Sequence, residues 1–331
     1  MIAPMPAKRP LGRTGLDVSE ISFGAWAIGG DWGDVSEDDA LAGVHAALDA
    51  GVNLFDTADV YGRGRSEQLL GRAVGNRTDV YIATKFGRWD DVDDPASFGE
   101  NRVRAYCEAS LRRLQRDAID VYQVHSPRTW VIEQGDVFEV LRALQREGKI
   151  RSFGVSVETA AQGRLALEHD GVAMLQVIFN IFRQNLVDEL FPQVERARAG
   201  ILARIPLASG LLTGKFTRET TFPRTDHRAY NRTGASFNVG ETFAGVPFEL
   251  GVELAEELRW IVDGRGTMAA AALRFVLDHP QVSATIPGFK DARQVEENVA
   301  AADVPPFSRG ELERLAHFYR ERVRPHILGE L

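Results

Sequence analysis

The sequence holds a single cysteine in 331 residues. Cys107 cannot close an intrachain disulfide by itself, and so thiol-poor a chain suits a reducing compartment. It falls in an amphipathic helical stretch, where a small core residue is expected rather than a reactive thiol. No window holds the roughly 18 uncharged apolar residues of a membrane span. Met1–Pro10 carries Lys8 and Arg9 but no apolar stretch of a secretory leader. A long basic run is also missing, and the net charge is −8, whereas a nucleic-acid binder shows a basic face. There is no Gly-x-Ser-x-Gly elbow for a serine nucleophile. The seven histidines show no His-Glu-x-x-His spacing for zinc. These absences predict a cytoplasmic protein without metal, membrane or nucleic-acid partners; the oligomeric state is left open.

Hydrophobic residues make up 44% of the chain and charged residues 26%, an ordinary balance for a globular protein. A short hairpin is expected over Leu11–Val18, around Gly-Arg-Thr-Gly. Short apolar strands then alternate with helical patterns. Strands are predicted over Ile21–Ile28, Val52–Asp56, Val80–Phe86, Ala118–Ser126, Ile150–Val157, Met174–Asn180, Ile201–Leu207 and Ser283–Ile286. The helices between them run from Ser36 to Ala50, from Ser66, and over Asn101–Leu114, Gly135–Glu147, Thr159–Glu168 and Leu190–Ala199. Repeated β-then-α units imply parallel strands with crossover helices, and eight of them favour a closed barrel. The rhythm breaks over Ala208–Val246, a long loop of the kind that serves as a lid. Helices over Glu249–Val262, Thr267–Asp278, Ala292–Ala301 and Ser308–Val323 complete the chain. The fold class is therefore an α/β (β/α)8 TIM barrel. It carries an N-terminal β-hairpin, a long loop after strand 7 and an extra C-terminal helix, in a single domain over residues 1–331.

The stretch Gly51-Val52-Asn53-Leu54-Phe55-Asp56-Thr57-Ala58-Asp59-Val60-Tyr61-Gly62 reads as a buried strand running into a polar loop. Asp56 stands at the strand end and Tyr61 just beyond it. Lys85 and His125 stand at the ends of the next two strands. In such a barrel the C-terminal strand ends carry the chemistry. A tyrosine is a reluctant acid at neutral pH. A lysine about 4 Å away, at an effective dielectric near 20, favours its phenolate by roughly 4 kcal/mol. Asp56 can neutralise the buried Lys85, and His125 can orient a carbonyl or share the proton. The set describes a tuned acid that protonates an oxygen while something else reaches the carbon. With no protein nucleophile suited to that carbon, a hydride from a cofactor is the natural partner.

Phe55–Gly62, Ala83-Thr84-Lys85-Phe86, Val124-His125-Ser126-Pro127, Gly148–Ser156 and Ile286-Pro287-Gly288, continued by Gln294, Glu297 and Asn298, resemble the signature motifs of the aldo-keto reductase superfamily. The match spans nearly the whole chain in order. It implies NADPH-dependent reduction of a small-molecule carbonyl substrate, with NADPH expected over NADH. It makes Tyr61 the general acid, Lys85 its tuning cation, Asp56 the partner of Lys85, and His125 the group that orients the carbonyl. Ser156 and Gln176 would bind the nicotinamide carboxamide. Gly210, Leu211, Thr213 and Lys215 would lie along the pyrophosphate. Gly288, Lys290, Gln294, Glu297 and Asn298 would surround the adenosine end, with Lys290 and Arg293 as the nearest cations for a 2′-phosphate.

The chain departs from the family pattern at three places. Val157 stands where an asparagine is frequent, removing one carboxamide contact. Gln294 stands where many members have arginine. In Ala203-Arg204-Ile205-Pro206-Leu207, Arg204 replaces an aromatic residue that stacks on the nicotinamide. Arg204, Pro206 and Leu207 are therefore placed with the cofactor residues. The Arg204 guanidinium either stacks on the ring, repelling its oxidised cationic form, or turns away and pairs with an acid in the lid. Trp26, Trp32, Trp89, Trp130 and Phe182 follow or end strands and are candidates to line the substrate mouth. The lid segments Asp226–Tyr230 and Gly240–Phe243 resemble bacterial members near the potassium-channel β-subunit-like branch, and the lid is expected to fold over the cofactor. Two other readings remain: a cofactor-binding, redox-sensing regulatory subunit with slow turnover, and a barrel isomerase or aldolase using Lys85 as a Schiff base.

Overall fold

The computed structural model describes residues 6–30, 32, 33 and 35–331. The leader reading rested in part on residues 1–5, which lie outside the described residues.

Two short strands, β1 (Lys8–Pro10) and β2 (Asp17–Ser19), form the expected antiparallel hairpin. Among the described residues eight parallel strands follow: β3 (Phe23–Gly24), β4 (Leu54–Asp56), β5 (Tyr81–Phe86), β6 (Ile119–His125), β7 (Ile150–Ser156), β8 (Val172–Ile178), β9 (Gly200–Arg204) and β10 (Ala284–Thr285). They pair strictly in chain order, each with the next. The seam between the last and first strands is closed by parallel bridges, Ile21 to Thr285 and Gly24 to Gly288. The arrangement is a (β/α)8 barrel. Every residue of β8 is buried, as expected of a parallel strand covered on both faces.

Successive strand residues face opposite sides, so one apolar layer and the layer above it are separated by two positions. Leu54, Ala83, Val121, Met174, Leu202 and Ala284 form an apolar cluster inside the barrel, joined by Leu11, Leu16 and Val18 of the hairpin. The hairpin thereby plugs the N-terminal end. Two residues beyond five of these positions stand Asp56, Lys85, Gln123, Gln176 and Arg204. The same alternation that builds the plug therefore delivers a polar layer to the opposite end. The outward faces of the strands pack with the helices into a second, larger core, which takes in Cys107.

Some sequence expectations need correction. Ile21–Ile28 is not one strand: β3 is two residues long, and Trp26–Gly29 is a helical turn. The chain leaves the barrel after Gly24, where a Cβ would lie 2.7 Å from the Ile286 carbonyl oxygen. The expected helix Leu190–Ala199 is two helices, Leu186–Glu189 and Phe191–Ala197, the second beginning with a proline in its first turn. The loop containing Trp130 holds an unpredicted helix, Thr129–Gln134. The last helix is α-helical over Arg309–Phe318 and widens into a π turn over Tyr319–Val323.

Candidate active site

The polar layer converges on one buried ion pair. Lys85 is fully buried, and its Nζ lies 2.6 Å from Asp56 Oδ2 and 2.8 Å from the Thr57 carbonyl oxygen. Burial pushes the Lys85 pKa down, while the Asp56 carboxylate pulls it up. The other Asp56 oxygen, Oδ1, accepts from Gln176 Nε2 at 2.7 Å and from Gln123 Nε2 at 3.2 Å. Such saturation is what a buried carboxylate requires. Lys85 spends its third donor on the Tyr61 hydroxyl, at 3.4 Å. The Tyr61 ring meets His125 edge-on at 5.8 Å between centroids and stacks on Trp26 at 5.8 Å. Burial and the charges of Lys85, Arg88 and Arg204 hold the His125 pKa well below its ordinary value, so the imidazole is neutral at physiological pH. Its Nδ1 is buried without a hydrogen-bond partner among the described residues.

Behind this cluster, Asp59 is buried with no side-chain partner for either oxygen among the described residues. Burial, with the neighbouring Glu67 carboxylate, pushes its pKa up to about 8. Glu67 itself is held by Arg113 and Thr84, each at 2.6 Å.

A cavity of about 530 Å³ opens over the tetrad and runs across the barrel end. Asp56, Tyr61, His125, Gln176, Arg204, Pro206 and Leu207 line it near the barrel axis. Gly210, Thr213 and Lys215 line it farther out, as do Gly288, Lys290, Arg293, Gln294, Glu297 and Asn298. Thus thirteen of the residues assigned to the cofactor from sequence share one cavity, and Ser156 and Leu211 lie outside its lining. Ser156 is buried at the end of β7 with its hydroxyl unpartnered among the described residues. Leu211 packs into the core. Gly210 adopts φ 102°, and a Cβ there would lie 2.7 Å from the Phe216 ring, so the turn requires glycine.

Trp26 and Trp32 also line the cavity. Trp89, Trp130 and Phe182 do not. Trp89 is exposed beneath the Arg113 guanidinium. Trp130 meets Phe98 edge-on, and Phe182 is fully buried in the core.

Arg204 pairs with an acid of the lid, as the second alternative has it, but does not turn away from the cavity, which it still lines. It pairs at 2.7 Å with Glu241 of the lid and donates to the Val157 carbonyl at 3.1 Å. The lid is pinned twice more: Asn238 Nδ2 donates to Glu158 at 2.7 Å, and Ser209 joins the Glu241 carbonyl and the Phe243 N–H. Next to Arg204, Ile205 holds φ 55°, a costly conformation for a β-branched residue. Asn180 Nδ2 binds its carbonyl at 2.9 Å and supports the turn.

Arg88 and Phe237 line the cavity and were missed from sequence, while Arg228 and Glu241 were placed there only as parts of the lid segments. Gln123 was missed too, although it stands two residues before His125 on the same face of β6, a signal that period-2 alternation supplies. Arg228 pairs with Asp226 at 2.6 Å and lies over the Trp32 ring. Lys290 donates to the Trp32 carbonyl, and burial together with the Arg228 charge lowers its pKa.

Comparison with known proteins bears on the family and the fold. Residues 20–320 match the model of the Aldo/keto reductase family. The chain is 33% identical to aldo-keto reductase YhdN of Bacillus subtilis, across 86% of this chain and 85% of the relative. It is 31% identical to a probable voltage-gated potassium channel subunit beta of Oryza sativa, across 89% and 91%. A glycerol dehydrogenase from Gluconobacter oxydans superposes with a TM-score of 0.77 at 31% identity, covering 96% of each chain.

Proposed function

The chain belongs to the aldo/keto reductase family, and on that premise we propose that it reduces an aldehyde or ketone to the alcohol with NADPH, using Tyr61 as the general acid. Family membership makes it an NAD(P)H-dependent oxidoreductase acting on small-molecule carbonyl compounds. The finer assignment is supported above all by the chain of contacts from Asp56 through Lys85 to the Tyr61 hydroxyl, at 2.6 and 3.4 Å, on the cavity wall beside His125.

The residues present fit a nicotinamide cofactor. Ser156 Oγ and Gln176 Oε1 are buried polar atoms without a partner among the described residues, and a carboxamide would satisfy both. Gly210, Thr213 and Lys215 would hold the pyrophosphate, and Gly288, Lys290, Arg293, Gln294, Glu297 and Asn298 the adenosine end. When bound, the cofactor supplies the hydride. The chain's own residues handle the proton. Tyr61 gives its hydroxyl proton to the carbonyl oxygen, and the Lys85 ammonium stabilises the phenolate left behind. Asp56 keeps Lys85 charged in a buried site. Neutral His125 donates an N–H toward the same carbonyl oxygen, orienting it without adding a net charge. NADPH preference rests on Lys290 and Arg293.

The test is fluorescence titration with NADPH and NADH, followed by cofactor oxidation with an aldehyde panel, comparing wild type with Tyr61→Phe. NADPH binding kept and turnover lost in the variant is the expected result. Turnover that survives in Tyr61→Phe would remove Tyr61 from the acid's role. A second reading, a redox-sensing regulatory subunit, draws on the likeness to the rice channel subunit; it predicts tight binding with little turnover in either protein.

A further inference from the structure

The carbonyl end of the cavity contains an arginine that the reaction as described does not use. Gly87, at φ 103°, turns the chain just after β5, and Arg88 follows it into the cavity lining. Arg88 is close enough to His125 for its charge to help keep that imidazole neutral. Its side chain is 23% exposed, so it is accessible from the cavity without being a surface residue.

Two other arginines of the cavity are already engaged, and a third, Arg293, stands among the residues expected at the adenosine end, with Glu297 at 3.7 Å. Arg204 is held by Glu241 at 2.7 Å, and Arg228 by Asp226 at 2.6 Å. Arg88 differs. Its ionic contact among the described residues is Glu158 Oε1 at 3.7 Å, too long for a hydrogen bond. The other Glu158 oxygen is taken by Asn238 at 2.7 Å. Glu158 therefore balances the charge of Arg88 without saturating its five N–H donors. A guanidinium with open donors matches a planar carboxylate in a bidentate fork. The aromatic walls formed by Trp26 and Phe237 suit an apolar body between that carboxylate and the reacting carbonyl.

We propose that Arg88 is a specificity-determining residue that selects aldehydes or ketones bearing a carboxylate, binding that group while Tyr61 and His125 meet the carbonyl. The inference deepens the reductase reading and rests on it for the placement of the carbonyl. It assigns the substrate class as oxo-acids with an apolar body, and Glu158 as the competing anion, weakened by its 3.7 Å distance from Arg88.

The probes are 4-formylbenzoate and its methyl ester, which differ in the anionic charge. Their affinities are measured calorimetrically with NADP⁺ present, on wild type, Arg88→Met, Arg88→Lys and Glu158→Gln. In wild type the acid should bind about tenfold tighter than the ester, or better, as expected for hydrogen bonds to a charged group. Arg88→Met should bring the two within about twofold of each other, Arg88→Lys should restore only part of the difference, and Glu158→Gln should widen it. Equal affinities in wild type, or a preference that survives in Arg88→Met, would overturn the assignment. Turnover of the ester by wild type with NADPH is followed in parallel. Loss of the reductase reading would show there as no turnover, while discrimination in the binding data reports on Arg88 independently.

Discussion

Gln176 donates from Nε2 to Asp56 Oδ1 at 2.7 Å, on the carboxylate oxygen that Lys85 leaves open. The lysine and the glutamine, from β5 and β8, thus share one acid across the barrel. Removing the acid leaves a fully buried ammonium uncompensated, a loss of about 3–5 kcal/mol. Asp56→Asn is therefore expected to lower the melting temperature sharply and to abolish turnover. Gln176→Leu leaves Asp56 with Lys85 and Gln123, and should cost only about 1.5–3 kcal/mol. Denaturant unfolding of the two variants checks the order. Equal losses would mean that the ion pair is no more important than its amide support.

Asp59 gives the protein a pH dependence of a definite sign. Burial and the Glu67 carboxylate push its carboxyl up to about 8 in the folded protein, against about 3.9 for an unperturbed aspartate. Between those values the folded state holds a proton that the unfolded chain has lost. Stability from this group is therefore present in acid and is lost as pH rises, at up to about 1.4 kcal/mol per pH unit. Asp59→Asn mimics the neutral form. Its melting temperature should rise relative to wild type from about pH 4 upward, with the gap levelling near pH 8. Parallel melting curves across that range would show that Asp59 ionises in the folded protein as it does when unfolded.

Glu241 is the charge partner of Arg204 on the cavity wall. Glu241→Gln leaves the guanidinium uncompensated beside the expected nicotinamide position. The variant should bind NADP⁺ more weakly relative to NADPH than wild type does, by several-fold, because a bare cation opposes the oxidised ring more than the reduced one. Competitive titration of both forms measures the ratio. An unchanged ratio would place the ring out of reach of Arg204.

Period-2 alternation explains why so much of this was legible in the sequence. Leu54 and Asp56, or Ala83 and Lys85, share a barrel face because they are two apart, so the apolar plug predicts where the polar layer stands. Gln123 was open to the same reasoning. Arg204's outcome was not, because its partner Glu241 comes from an irregular lid whose path no short-range pattern encodes. The aromatic residues divide for a similar reason. Trp26 and Trp32 line the cavity while Trp89, Trp130 and Phe182 do not, and an aromatic after a strand fits a core or a cavity equally well. The over-long first strand has a steric origin: Gly24 sits against the Ile286 and Pro287 carbonyls, so the chain has to turn out of the barrel there.

The bridge from Gly24 to Gly288 joins opposite ends of the chain, and Gly24, Ile286, Pro287 and Gly288 all line the cavity. The ribosome therefore delivers Asp56, Tyr61, Lys85 and His125 long before it delivers the last wall of the cavity that surrounds them. Until β10 emerges, β3 and β9 are open edges, and closing them requires contacts of very high sequence separation. A chain that stops before β10 carries the whole tetrad yet lacks Ile286, Pro287 and Gly288 from the wall of the cavity. Over the same interval the open edges are the places at which an unfinished chain is exposed to wrong pairing. Timing of assembly, and not only geometry, is written into the order of the strands.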